Sequence, residues 1–402
     1  MRLAFVIPRY GTEIIGGAET LGRQVAERLA AHHSIEILTT CAGQDYHRWT
    51  NVHPPGEQRE GDILVRRFPV ERLRDLHRFS QYTFALMNGW SKGEEAQTEW
   101  VRLQGPYAPA LIQFIRANAQ AYDFFVFVPY LYYTTFFGLH EVPERAIMIP
   151  AAHDEPYLKF EIYRSLMRLP RGIIYLSPEE RDLVRFRCDN DWLPHRVLGM
   201  GLGLPGKPNA EAFRQRYSLR TPFILFVGRI TRDKGCHKLV KFFTAIKRQQ
   251  PERDLKLVLV GAKVMEIQAR PDIDYLGRLS EKGKFDALAA AQVFVMPSKY
   301  ESYSIAILES MVTGTPVLVN GECEVLRQHC LRSQAGLYYT GQDDFVAGLE
   351  LLLDDPALRQ RMGTNGQAYV QANYTWPIIE RKYLHFLEQL KTDTLLKLKT
   401  DS

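Results

Sequence analysis

Long apolar runs are missing from this 402-residue chain. A membrane-crossing helix needs roughly 18 consecutive apolar residues, and no stretch approaches that, so nothing is expected to span a bilayer. Cysteine is scarce. Cys41, Cys188, Cys236, Cys323 and Cys330 are odd in number, widely scattered and contain no C-x2-C pair. That pattern argues against a disulfide framework and structural zinc, and it fits a reducing cytoplasm. Charge of one sign is lacking too: the formal net charge is +5, too small to point to nucleic acid. The apolar start, Leu3 to Ile7 before Pro8, is short and has no small-residue cleavage site, so it reads as a first strand rather than a leader.

What is present suits two globular domains, with 46% hydrophobic residues. Residues 1–205 carry 23 Lys and Arg against 24 Asp and Glu, and the rest carry 28 against 22. The positive excess therefore lies in the second half, as an anionic ligand there would require. The first half alternates strand and helix patterns, with strands at Leu3–Ile7, Ile35–Thr40, Ile63–Phe68, Phe124–Val128, Ala146–Ile149 and Ile173–Leu176. This βα rhythm predicts a doubly wound parallel sheet. Gly16 and Gly17 end the loop after the first strand, where paired glycines at a helix N-terminus can cradle an anion or sugar. Residues 45–100 are the least regular. There Arg66, Arg67, Arg72, Arg74, His77 and Arg78 mingle with Phe68, Leu73, Leu76, Phe79, Tyr82 and Phe84. Such a patch could meet an acidic acceptor or an anionic membrane surface, or its arginines could snorkel over a core helix. Ser177 and Glu180 are spaced as a capping box. The Gly- and Pro-rich run 199–208 lacks a dinucleotide fingerprint's spacing and reads as an interdomain linker and hinge.

The second half repeats the rhythm. Phe223–Gly228 is a strand whose turn carries Arg229 and Lys234, two cations at a strand's carboxyl end suited to phosphate. Leu255–Gly261 is the next strand. The stretch that organises the chain follows Val293–Met296: a polar turn with Glu301, then an apolar helix pattern ending at Gly314 and Pro316. Free N–H groups and the positive end of a helix dipole then face the sheet's carboxyl edge, where α/β proteins bind anions. Glu309 lies about two helical turns beyond Glu301. Carboxylates there would accept hydrogen bonds from sugar hydroxyls rather than hold phosphate. Asp189-Asn190-Asp191 and Asp272-Ile273-Asp274 match an Asp-x-Asp metal motif but do not follow a central strand, so no metal is expected.

The Glu301-x7-Glu309 stretch resembles the signature of the retaining GT-B glycosyltransferases, above all glycosyltransferase family 4, and the other motifs occur in that family's order. The resemblance implies an α/β fold of two Rossmann-like domains, each a doubly wound parallel sheet, facing a central cleft. Residues 1–202 would bind acceptor and be completed by a C-terminal helix over 376–402 that crosses back, and 203–375 would bind the donor. It implies a hexosyltransferase moving sugar with retention from a nucleotide diphosphate sugar, expected to be a UDP-hexose, to a hydroxyl acceptor in polysaccharide or glycolipid synthesis. His153 and Glu301 would act on the donor sugar, and Glu309 on the ribose. Gly16, Gly17, Arg229, Lys234 and the turn residues Ser302, Tyr303, Ser304 and Ile305 would hold the donor, while Gly277, Arg278 and Leu279 would read the base. Ser304 stands where that family usually has glycine. No cofactor beyond the co-substrate is implied, no nucleic acid, and an acceptor that could be lipid-linked or a polysaccharide. The expected setting is the cytoplasm, with peripheral contact to the inner membrane face through the first domain. A nucleotide-sugar epimerase or hydrolase of the same fold, and a non-catalytic nucleotide- or glycan-binding protein, remain the alternative readings.

Overall fold

The computed structural model describes residues 1–400 apart from Ile15, Tyr46 and Pro205, with side chains to Asp393. It divides into two compact units, Met1–Met200 with Ile379–Ser402, and Gly201–Ile378. These divisions fall two and three residues from the boundaries expected at 202 and 376.

The first unit holds an eight-stranded sheet. Its strands are β1 (Arg2–Val6), β2 (Ser34–Thr40), β3 (Gly56–Glu60), β4 (Ile63–Phe68), β5 (Phe124–Phe127), β6 (Ala146–Met148), β7 (Gly172–Tyr175) and β8 (His195–Val197). In space they run β3-β4-β2-β1-β5-β6-β7-β8. All pairs are parallel except β3 with β4. Central strands such as β5, Phe-Phe-Val-Phe, are buried on both faces, as parallel strands covered by helices must be. Order reverses between β1 and β5, so the loop after β1 opens at a topological switch point.

The second unit repeats the plan with six parallel strands. They are β9 (Phe223–Val227), β10 (Lys256–Val260), β11 (Ile273–Gly277), β12 (Val293–Met296), β13 (Val317–Asn320) and β14 (Gly336–Tyr339). They are ordered β11-β10-β9-β12-β13-β14. The switch lies between β9 and β12, and these two strands carry the Arg229–Lys234 and Glu301 loops.

The helix Trp376–Thr400 runs into the first unit. Ile379, Tyr383, Phe386, Leu387 and Leu390 are buried along one stripe at helical spacing. Each such side chain is worth about 1.5–3 kcal/mol when removed from water. Leu390 and Phe386 pack where Gly172 opens β7, and Tyr383 donates its hydroxyl to the Gly199 carbonyl at 2.9 Å.

Residues 45–100 are more regular than their sequence suggested. Strand β3, without an apolar side chain and exposed except at half-buried Glu60, carries no alternation to betray it and survives as an antiparallel edge. Two helices follow, Leu76–Met87 and Gly93–Gln104. The basic patch is also divided. Arg66 is taken by Glu36 and Glu57, and buried Arg67 by Glu60 and the Tyr10 carbonyl. Leu76–Met87 is not a core helix: every residue in it keeps some exposure. All five cysteines are free and buried. Burial pushes the Cys188 and Cys330 thiols up to about 12 and those of Cys236 and Cys323 to about 11.

Candidate active site

In the second unit the loop after β9 meets the turn after β12. Gly235, at φ +73, begins the helix Cys236–Gln249. A Cβ there would collide with the Pro297 carbonyl, so only glycine permits this left-handed backbone and close approach together. The contact brings the two loops within side-chain reach. Lys234 Nζ donates to Glu301 Oε1 at 2.6 Å, joining the expected phosphate cation and the expected sugar-binding carboxylate in one mostly buried pair. The Cys323 thiol points at the Glu301 carbonyl at 3.9 Å, and the Asn320 amide donates to the Pro297 carbonyl at 3.3 Å.

Ser304 sits at φ +60, ψ +72, at the head of the helix Ile305–Val312. The left-handed region costs a non-glycine residue about 1–2 kcal/mol. The Ser304 hydroxyl oxygen is buried and finds no hydrogen-bond partner among the described residues. Ser302 and Ile305 flank it half-buried. Tyr303 contributes backbone only, because its ring is buried against His329 and Tyr374. One face of the short helix carries Glu309 inward, where Lys284 Nζ donates to it at 2.6 Å. Burial pushes the Glu309 carboxyl upward, and Lys284 opposes that push. Burial also works against the charge on Lys284, but Glu309 and Glu281 outweigh it and keep the ammonium protonated.

Arg229 is half-buried at the end of β9. Gly277 ends β11 at φ +70 with open space where a side chain would stand, followed by exposed Arg278 and half-buried Leu279. Both Asp-x-Asp runs are spent on ion pairs, Asp191 with Arg185, Asp272 with Arg270 at 2.7 Å and Asp274 with Lys256 at 2.9 Å. Among the described residues no three His, Cys, Asp or Glu side chains are grouped to hold a metal ion.

The first unit places Gly16 and Gly17 at the head of the helix Gly17–Leu29. Space above Gly17 is open, but that beside Gly16 is filled by the Glu19 carboxylate. Buried Arg9 in turn holds Glu19, and the Arg9 Nη1 donates to the Gln44 carbonyl at 2.9 Å. The cradle read at Gly16 is therefore lined by a carboxylate. His153 follows β6 in a loop where Ala151 adopts φ +51. Its Nδ1 lies 3.8 Å from Glu155, which also accepts from the Tyr130 hydroxyl at 2.8 Å. Burial pushes the Glu155 carboxyl above its usual range.

Beneath this loop lies Glu180. Ser177 caps its helix by accepting from the Glu180 N–H at 3.1 Å, but the Glu180 carboxyl does more than close a capping box. It accepts from the N–H groups of Ala152 at 2.6 Å and Leu176 at 2.5 Å. Burial pushes it to about 8 despite these bonds and a third from Ser177. Sequence reasoning missed Lys284, Glu155, Glu19 and this second role of Glu180. Only for Glu180, with the capping-box spacing, was there a local signal.

Residues 209–369 match the family described as Glycosyl transferases group 1. Nearly the whole chain also overlays sucrose-phosphate synthase from Thermosynechococcus elongatus, at TM-score 0.72 and 18% identity over 98% of this chain and 99% of that one. Residues 209–369 thus form a group 1 glycosyl transferase segment, within a chain of the GT-B fold. Another solved member of the fold, HepE from Anabaena in complex with UDP and glucose, overlays it at TM-score 0.69 and 14% identity, over 97% and 100% of the two chains. A curated relative of this chain comes from Corynebacterium glutamicum and is named a GDP-mannose-dependent monoacylated alpha-(1-6)-phosphatidylinositol monomannoside mannosyltransferase. It is 29% identical over 200 residues, 46% of this chain and 51% of that protein. The chain thus spans about half the length of that relative.

Proposed function

We propose that this group 1 glycosyl transferase moves a hexosyl group from a UDP-hexose to an acceptor hydroxyl, with retention of configuration, in polysaccharide or glycolipid synthesis. The observation that carries the reading is the Ser304 turn. A strained left-handed residue with a buried hydroxyl lacking a described partner stands at a helix N-terminus, beside a Lys–Glu pair. Helix N-termini favour anions, and strain of this kind is kept where it serves a ligand.

On donor binding the diphosphate takes Lys234, Arg229 and the N–H groups of Ser302 to Ile305. Glu301, released from Lys234, accepts hydrogen bonds from the sugar hydroxyls, and Glu309 accepts from the ribose. His153 is the first unit's candidate catalytic residue. The bond from the anomeric carbon to the diphosphate oxygen breaks and one to the acceptor oxygen forms, while the acceptor's proton passes to the departing phosphate. Preorganised donors stabilising that leaving charge supply the main catalytic effect.

The GDP-mannose in the name of the Corynebacterium glutamicum relative favours a second reading of the base. Titration of the chain with UDP and with GDP separates the two, and a preference for UDP is expected. Mass spectrometry of donor and acceptor mixtures, followed by NMR of the anomeric centre, should show a retained linkage, unaffected by EDTA. Inverted product, or donor consumed equally without acceptor, would overturn the reading.

A further inference from the structure

A cavity of about 140 Å³ lies before the helix Leu76–Met87, with Arg72, Arg74, Arg78 and Arg102 in its wall against the single carboxylate of Asp75. That is room for roughly four or five water volumes, more than a phosphate group needs. The side chains are held open around it. Arg72 donates to the Arg102 carbonyl at 3.3 Å and stacks on Tyr107. Arg74 donates to the Gln104 carbonyl at 2.8 Å and lies over the rings of Trp49 and Phe79. Asp75 is turned away to cap the helix, accepting from the N–H groups of His77 and Arg78 at 3.0 and 3.1 Å. The other facing acid, Glu99, is shared loosely between Arg78 at 3.9 Å and Arg102 at 3.5 Å.

Leu73 borders the cavity and is half exposed. From it an apolar line continues through Leu76, Phe84 and Met87 to Trp90, with Trp90 75% exposed and its ring 5.3 Å from Phe84. Residues 76, 84 and 87 share one face at helical spacing. An arginine cavity continued by exposed aromatic and aliphatic side chains has the chemistry of an interfacial lipid site.

We propose that this face docks on an anionic lipid surface, with a lipid phosphate in the arginine cavity and acyl chains against Leu73, Leu76, Phe84, Met87 and Trp90. The assignment stands independently of the donor reading, and its test uses no nucleotide sugar.

Flotation of the full chain with phosphatidylcholine vesicles, alone or with about 30% phosphatidylglycerol, a content that gives a negative surface potential, decides it. The chain should float with the anionic vesicles only. Arg72→Gln with Arg78→Gln should weaken binding about thirtyfold, from about fivefold for each charge near the surface, while UDP affinity stays unchanged. Phe84→Ser with Trp90→Ser should abolish flotation, and brominated acyl chains should quench a fluorescence component that Trp90→Ser removes. Equal flotation with neutral vesicles would overturn the proposal. So would inorganic phosphate saturating the cavity with no flotation, which would mark a free phosphate site. Self-association that the Trp90 change removes would give the face to a second copy and overturn it as well.

Discussion

The His153 loop and the Glu301 turn both follow strands of parallel sheets built on one plan, yet they are held in different ways. In the first unit a buried carboxyl, Glu180, fastens the loop through backbone N–H groups of Ala152 and Leu176. In the second unit charged side chains fasten one another, Lys234 with Glu301 and Lys284 with Glu309. The first arrangement is fixed before any ligand arrives. The second neutralises itself, and on the proposed donor mode Lys234 and Glu301 would exchange partners when the diphosphate enters. Recognition in the second unit therefore has an electrostatic cost that the first does not share.

Breaking the deeper ion pair should have the largest effect. Lys284→Ala leaves the Glu309 carboxylate buried without its cation, so it should destabilise by about 3 kcal/mol in denaturant unfolding. Replacing both, Lys284→Met with Glu309→Leu, should recover most of that loss. A double variant as unstable as the single would show that the pair's worth is not electrostatic.

The pH response sharpens the contrast. A carboxyl whose folded pKa stands near 8, against 4.5 unfolded, keeps its proton better in the folded state. Its stabilising share is complete below pH 4.5 and is lost as pH rises through about 8. Glu180→Gln should flatten that decline and, by depriving one N–H of its acceptor, cost about 1–3 kcal/mol at low pH. In the second unit His329 runs the other way. Burial lowers it to about 3 from 6.5, so its share is complete above pH 6.5 and lost as pH falls through about 3. His329→Gln should remove this acid sensitivity, read from unfolding midpoints across that range. Parallel curves for wild type and variant would refute either assignment.

Within the second unit, Glu309→Ala should weaken free UDP about tenfold, the worth of roughly one charge-assisted hydrogen bond. Glu301→Ala frees Lys234 from its partner, so it should leave UDP bound at least as tightly while removing turnover. Equal losses of UDP binding in titration would contradict the division between ribose and sugar. The smallest effect belongs to Ser304→Gly, which relieves the left-handed backbone and should raise the melting stability by at most about 1 kcal/mol.

The repeating fold was legible because buried parallel strands announce themselves: Phe124–Phe127 and Val293–Met296 are apolar throughout. Strand β3 was not, since Gly-Glu-Gln-Arg-Glu on an exposed edge needs no apolar face. Glu301, Lys234 and Ser304 were readable from the turns that carry them. Their contacts were not, because Lys234 finds Glu301 across 67 residues and Lys284 finds Glu309 across 25. Such pairs are made by sheet order rather than by local spacing. The Gly16 cradle misled for a related reason: the Glu19 carboxylate beside it counts as an ordinary first-turn acid until Arg9 draws it inward.

The buried thiols have a practical consequence. Because the thiolate is the reacting form, an alkylating reagent can modify these five side chains only when the surrounding structure opens. Cys41 and Cys188 lie in one unit and Cys236, Cys323 and Cys330 in the other, so the chain carries opening clocks for each half without engineered probes. Cys323, with its sulfur against the Glu301 carbonyl, times the donor turn itself. Saturating UDP should slow its alkylation in peptide-resolved mass spectrometry and leave Cys188 at its former rate.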